Sequence, residues 1–156
     1  MKFDNCINFL QKNRLKIALI VGAVVIFFAA LYFVSHLGMD RRVFYFPVSG
    51  SSRNQKEIRY LDFHPVQGKL AYYVDELILG PSFYRGRPLF TPGTAVDYCF
   101  VKEKTLYVGL SAEAALQEGG AFSVEEGAAL FKKNIKKNFT GIKNIELFID
   151  GNFIAD

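Results

Sequence analysis

The chain has 156 residues, 51% of them hydrophobic, and its nineteen Lys and Arg against fifteen Asp and Glu give a formal charge of +4. Without one long apolar run, about 115 residues remain, which is the usual size of one domain. The basic excess is too small to indicate a nucleic-acid-binding protein, and two cysteines are too few for a disulfide framework. We therefore expect one compact domain attached to an apolar segment.

The apolar run extends from Ile17 to Val34, eighteen residues without a charge or a proline. A bilayer core about 30 Å thick needs roughly 20 apolar residues of α-helix, and residues 35–37 extend the run. The sequence therefore predicts a transmembrane helix over 17–37. A cleaved signal peptide is the alternative, but its apolar region usually has about 7 to 15 residues and ends at small residues, unlike residues 34–38. We expect an uncleaved anchor.

Segment 1–16 carries four basic residues and one acidic residue. Because basic residues favour the cytoplasmic side of a membrane, we expect this short segment in the cytoplasm and the rest of the chain on the other side. Residues 38–41 are predicted to be a short tether and 42–156 the domain. Cys6 and Cys99 would then lie on opposite sides of the membrane and cannot form a disulfide.

The first half of the domain shows two strand patterns and one helix pattern. Residues 43–46 and 58–63 are rich in aromatic and β-branched residues, as strands are, and 49–52 indicate a polar turn or loop. An amphipathic helix within 66–79 is predicted from apolar residues at the spacing i, i+3, i+4, i+7 and i+8: Leu70, Tyr73, Val74, Leu77 and Ile78. Gly80 and Pro81 end it.

The second half shows a strand hairpin, a helix and a last strand. Residues 95–102 and 105–110 are predicted to pair around a turn at Glu103 and Lys104. After a loop over 111–122, the sequence from Ser123 to Glu126 is a capping box that begins a helix ending at Thr140 and Gly141. Residues 144–149 alternate as a strand, with a turn at 150–152. The predicted fold is α+β: two helices packed on one face of a mostly antiparallel sheet of about five strands, preceded by one transmembrane helix.

Five short motifs follow one another along this domain. They are Phe44-Tyr45-Phe46-Pro47, Leu77-Ile78-Leu79-Gly80-Pro81, Leu89-Phe90-Thr91-Pro92-Gly93-Thr94, Tyr107-Val108-Gly109-Leu110-Ser111 and Ile145-Glu146-Leu147-Phe148-Ile149-Asp150-Gly151. Together they resemble the GerMN domain, named from sporulation and spore-germination proteins, over nearly all of 42–156. This chain differs from the sporulation protein of that family in having one domain and a helix in place of a lipid anchor.

The resemblance implies a bacterial protein of the cytoplasmic (inner) membrane whose domain is extracytoplasmic, or periplasmic. It implies a non-catalytic scaffold in a trans-envelope or membrane-associated complex, with an envelope protein or another copy of the chain as partner. We expect contact through the sheet edge and the loop over 82–93. The alternative is a module that binds the cell wall, in which aromatic residues stack on the sugars of peptidoglycan.

No residue pattern indicates an enzyme, a cofactor or a metal site. His36 and His64 cannot converge on a metal with two cysteines that the membrane separates. Ser111 lacks the G-x-S-x-G setting of a nucleophile, so we expect a serine that ends a strand. The acidic pairs at 75–76 and 125–126 lie on predicted helices, where solvation or capping explains them.

Two groups of side chains are candidates for binding. The first lies in the loop after the first helix, since exposed aromatics with arginine often anchor protein interfaces: Phe83, Tyr84, Arg85, Arg87 and Phe90. These rings belong either to an interface or to the core of the domain. The second spans two helical turns and suits an anionic surface, such as lipid headgroups or wall polymers: Lys132, Lys133, Lys136 and Lys137. Its alternative is a solvated helix end.

Overall fold

The computed structural model describes residues 3–36, 39–116, 121 and 123–154. The chain forms two compact units that divide between residues 38 and 39. The first unit is one helix, α1 (Phe3–His36), which continues through both the predicted cytoplasmic segment and the predicted span. The predicted end of the span at Leu37, residue 38 of the tether and the side chains of Cys6 and His36 lie outside what the structure describes.

Within α1, the stretch Lys16–Val34 has a mean hydropathy of 2.9, and none of it is buried inside the structure. Among the described residues this is the one helix long and apolar enough to cross a membrane. A signal sequence near the N-terminus can also contain a helix that is this long and apolar. An uncleaved anchor and its orientation in the membrane therefore stay predictions.

The second unit begins with a long antiparallel hairpin of β1 (Met39–Val48) and β2 (Ser51–Asp62), in which Val43 lies opposite Ile58. The turn has only two residues, and Gly50 takes a positive φ of 76° there. Sequence patterns located the middle of β1 and the end of β2 but missed the rest. Three residues predicted as tether, 39–41, belong to β1.

The hairpin is followed by α2 (Lys69–Leu79), β3 (Val96–Lys102), β4 (Thr105–Leu110), a 3₁₀ helix (Ala112–Ala115), α3 (Val124–Asn138), β5 (Asn144–Ile149) and β6 (Asn152–Ile154). The last four strands form a second sheet in the order β3-β4-β5-β6, in which β4 and β5 are parallel and the other neighbours antiparallel. The α+β class is confirmed. The single sheet of about five strands is wrong, because the described residues form two sheets with six strands in total.

One hydrophobic core joins the two helices, the hairpin and the inner face of the four-stranded sheet. The predicted apolar faces are confirmed in their centres: Tyr73, Val74 and Leu77 of α2 are fully buried, as are Phe131 and Ile135 of α3. The packing differs in detail from the prediction, since α3 packs along β1 of the hairpin while α2 contacts β3 of the four-stranded sheet. The outer face of the four-stranded sheet keeps exposed side chains, among them Phe100 and Phe153.

Candidate functional site

The free edge of β1, opposite β2, is occupied by two asparagine side chains of α3. The Asn138 amide bonds the backbone of Val43, accepting from its N–H at 3.0 Å and donating to its C=O at 2.7 Å. The Asn134 amide does the same to Tyr45, at 2.8 and 2.9 Å. Two side chains four residues apart on a helix thus form hydrogen bonds to two residues that are two apart on a strand. Each amide takes the place of the peptide group that a neighbouring strand would supply.

The backbone of the loop after α2 also forms hydrogen bonds along this free edge of β1. The backbone N–H of Arg87 donates to the Pro47 carbonyl at 2.9 Å, and the N–H of Ser49 donates to the Arg85 carbonyl at 2.9 Å. The free edge of β1 is therefore bonded at every second residue from 43 to 49. The predicted contact of a partner through a sheet edge cannot use this part of β1.

The five loop residues predicted to bind a partner do not form one surface. Phe90 is only 3% exposed and its ring centroid lies 6.5 Å from that of Phe131, so it is a core residue, which is the alternative role considered for these rings. Phe83 packs partly buried against the core. Arg85 donates to the carbonyl of Ser49 at 3.3 Å. The core role thus holds for Phe90 and in part for Phe83, and an interface role of the remaining loop residues stays a prediction.

Within this loop, Tyr84 is 96% exposed and is the aromatic side chain most open to a partner. Arg87 is half-buried and its backbone belongs to the cover over β1. The loop is held against α3 at Gly127, where an added Cβ would lie 2.3 Å from the Leu89 carbonyl oxygen. This close approach explains why Phe90 reaches the core.

The outer face of the four-stranded sheet carries a connected row of aromatic rings, here called the aromatic face: Tyr98, Phe100, Tyr107, Phe148 and Phe153. Neighbouring ring centroids are 5.2 to 6.4 Å apart from Tyr107 through Phe100, Tyr98 and Phe148 to Phe153. Phe100 is 52% exposed, Phe153 54% and Tyr98 40%. Contiguous exposed aromatics on a soluble domain are a usual mark of a binding surface.

Gly109 lies beneath the centre of this face. A Cβ added to it would come within 2.2 Å of the Tyr98 ring, so the glycine allows the ring to lie across β4. The sequence contains the signal for this face, because the aromatics alternate with the buried residues of each strand, and such alternation places them on the opposite side. Sequence analysis missed it by assigning significance to the inward positions alone.

The four predicted lysines line a shallow groove of about 680 Å³ on α3, here called the lysine groove, together with Tyr45 and Ala129. Lys132 is only 8% exposed, whereas Lys133, Lys136 and Lys137 are exposed. The ammonium of Lys133 lies 5.3 Å from the centroid of the Tyr45 ring, within the range of a cation–π contact. The structure thus brings all four lysines together around one depression.

The acidic residues set aside in the sequence have structural partners. Glu76 pairs with Arg59 at 3.1 Å, and Asp75 accepts a weak hydrogen bond from Gln67. Hydrogen bonds at the start of α3, from the Glu125 backbone and the side chain of Ser123, lower the pKa of Glu125. The serine half of the capping box is confirmed, since the Ser123 oxygen accepts from the Glu126 N–H at 3.1 Å.

Ser111 and Cys99 also have local explanations. The Ser111 hydroxyl accepts from the backbone N–H of Ala95 at 3.0 Å, which ties the end of β4 to the start of β3. Cys99 lies in β3, half-buried, and burial with the nearby charge of Asp75 raises the pKa of its thiol to about 11. Among the described residues, no three His, Cys, Asp or Glu side chains are grouped as metal ligands would be.

These features define the class of protein. It is a small α+β domain that is preceded by an apolar helix and has exposed aromatic rings on one face of its sheet. The chain belongs to the Germane family, described as sporulation and spore germination, whose sequence model matches residues 31–155. This confirms the predicted GerMN relationship. No match was found among the curated proteins. A crystal structure described as a lipoprotein from Clostridium perfringens is 17% identical, with a TM-score of 0.46, covering 76% of this chain and 80% of its own.

Proposed function

We propose that this chain is an uncleaved, membrane-anchored protein of the bacterial envelope whose Germane domain is a non-catalytic binding module in a membrane-associated protein complex. The family supports a role in the envelope of sporulating or germinating cells. The apolar stretch of α1 supports the anchor. The observation that carries the binding role is the aromatic face, a row of five rings on a sheet face that none of the described helices covers.

The aromatic face suits a protein surface for two reasons. Its rings are large, have few rotatable bonds and are held in place by one another, so binding costs little side-chain conformational entropy. Tyrosine and phenylalanine combine apolar area with a polar edge or hydroxyl, which is the composition found at the centres of protein interfaces. The partner is an envelope protein or a second copy of the chain.

Photo-crosslinking in membranes tests this directly. The full chain carries p-benzoylphenylalanine in place of Phe100, or in place of Tyr60 as a matched control, because Tyr60 is 62% exposed on the separate hairpin. We expect a protein adduct of defined mass from position 100 and none from position 60. Mass spectrometry of the adduct separates a copy of the chain from another protein.

Affinity for the identified partner then gives the size of the effect. Phe100→Ala removes a central anchor, and anchors of this kind contribute about 2 kcal/mol, or roughly 30-fold in Kd. Tyr60→Ala should change the Kd by less than about twofold. Tyr84→Ala tests the loop. If it weakens binding more than Phe100→Ala does, the loop is the interface and the aromatic face is not.

The cell-wall alternative has one observation in its favour. The Tyr98 ring lies across Gly109 and turns its other side outward, a platform on which a sugar ring can stack. Sedimentation of the detergent-solubilised chain with insoluble peptidoglycan distinguishes the two functions. Sedimentation that depends on Tyr98 and Phe100, without any protein adduct at position 100, would replace the scaffold by a peptidoglycan-binding module.

A further inference from the structure

We infer that the lysine groove binds the phosphate diesters of anionic phospholipid headgroups. This inference rests on the proposed membrane anchorage, since it places the domain beside a bilayer. The groove is separate from the aromatic face, because it lies on α3 and β1 rather than on the outer side of the four-stranded sheet. The domain would thus have one surface for a partner and another for lipid.

The groove has a fixed shape. Its lysines come from two consecutive turns of α3, at positions i, i+1, i+4 and i+5, and its other wall is the ring of Tyr45. The Asn134 side-chain amide accepts a hydrogen bond from the backbone N–H of Tyr45 and donates one to its C=O. Because strand and helix are joined at this residue, the distance between the tyrosine ring and the lysines is set by the fold.

Among the described residues, no acid neutralises the three exposed lysines of the groove. Lys133, Lys136 and Lys137 have no carboxylate within salt-bridge distance in the described part of the chain, and the groove lining described there contains no Asp or Glu. Ammonium groups held together repel one another, and a bound anion relieves this repulsion. An anionic ligand in the groove would therefore meet lysine charges that no described carboxylate already pairs.

A solvated helix end explains only part of this arrangement. The negative end of the helix dipole favours Lys136 and Lys137, which lie in the last turn of α3. Lys132 and Lys133 lie a turn earlier, where the effect of the dipole has fallen off. Lys133 is exposed there and its ammonium lies 5.3 Å from the centroid of the Tyr45 ring, so the basic surface extends beyond the last turn of the helix.

Because the proposed anchor holds the domain at a membrane, headgroup phosphates are the most abundant anions near it. In the chain, only residues 37 and 38 separate the end of α1 from the start of β1. A short connection of this kind gives the domain a high effective concentration of whatever lies at the membrane surface. Lysine ammonium groups bind phosphate as compact charges without demanding one bidentate geometry, which suits mobile headgroups.

The test measures lipid preference of the full chain in dodecyl maltoside by native mass spectrometry. Dioctanoyl-phosphatidylglycerol, which is anionic, and dioctanoyl-phosphatidylcholine, which is zwitterionic, are compared, so that the acyl chains are the same and only the headgroup differs. The groove variant is Lys133→Gln/Lys136→Gln/Lys137→Gln. The control variant, Lys102→Gln/Lys104→Gln/Lys143→Gln, removes the same charge from three exposed lysines at and beside the turn between β3 and β4. Equal thermal unfolding of the variants shows that the fold is kept.

We expect the wild-type chain and the control to prefer phosphatidylglycerol. The groove variant should lose at least about tenfold of this preference, because each lysine near an anionic surface contributes roughly fivefold. A groove variant that keeps the preference would overturn the inference. Wild-type binding to inorganic polyphosphate, with no preference between the two lipids, would also overturn it. An intact mass lacking α1 would refute the anchorage and the inference together, whereas a full mass without lipid preference refutes the inference alone.

Discussion

The two faces of the four-stranded sheet are both apolar, but only one is covered. Leu106, Val108 and Leu147 point inward and are fully buried against the helices, whereas Tyr98, Phe100 and Phe153 point outward and keep 40 to 54% of their surface exposed. Aliphatic side chains fill the closely packed core, whereas aromatic rings pack against one another on the outer face, which faces solvent. Apolar character therefore does not identify the core face, because the position of the helices decides it.

Leu147→Ala should show the largest difference between the faces. Truncating a fully buried leucine leaves a cavity and should reduce the free energy of unfolding by about 3 kcal/mol. Phe148→Ala, at the next residue of β5, removes a half-buried ring on the outer face and should cost about 1 kcal/mol. Urea unfolding followed by tyrosine fluorescence measures both, since the chain has no tryptophan. Equal losses would mean that the two faces are equally packed.

Cys99 tests the comparison within the edge strand β3. Its raised pKa of about 11 keeps the thiol protonated at pH 8, so its alkylation by iodoacetamide should be about a hundredfold slower than that of an ordinary thiol. A cysteine in place of Phe100, in a Cys99→Ser chain, should react at the ordinary rate because it faces solvent. Both measurements use Cys6→Ser. Similar rates at the two positions would contradict the burial of the inner side of β3.

Gly109 should show a smaller effect that links the two faces. Valine at this position meets the Tyr98 ring, so Gly109→Val should destabilise the domain by about 2 kcal/mol and displace the ring from the aromatic face. Adding Tyr98→Ala should restore most of the stability but not the partner affinity. Gly141→Ala is the control, because its added Cβ meets no described atom within 4 Å. No recovery in the double variant would show that the ring is not the obstacle.

Local signals predicted the elements that depend on neighbours in sequence. The spacing of Tyr73, Val74 and Leu77 located α2, and Ser123 located the start of α3. The turn at Glu103 and Lys104 was also found, and both residues take the positive φ angles of a tight hairpin. In each case the interactions that decide the structure lie within a few residues of one another.

Elements that depend on distant partners were missed. The first half of β2, residues 51–56, is fully exposed and polar, so it has no alternation to reveal it, and pairing with β1 makes it a strand. Turn residues 150–151 were recognised, but not the short β6 that follows and pairs with β5. Phe90 lies in a loop with arginines, and only its contact with Phe131 shows that it belongs to the core.

The lysine cluster was predicted because helical spacing alone places its members together. Its groove was not, because the Tyr45 wall comes from β1, which is distant in the sequence. The aromatic face depends both on spacing within the sequence and on contacts between distant segments. Alternation within each strand sets which residues point outward, but only the order β3-β4-β5-β6 joins them into one row.

The two asparagines on β1 also limit how copies of this domain can be joined. An unpaired strand edge is a template that accepts a further strand, and growth of that kind has no natural end, so it yields fibres. With Asn138 already bonded to Val43 and Asn134 to Tyr45, this part of β1 offers no such template unless α3 first moves away. Assembly through a flat surface is different, since the angle between adjoining copies fixes their number and can close a ring.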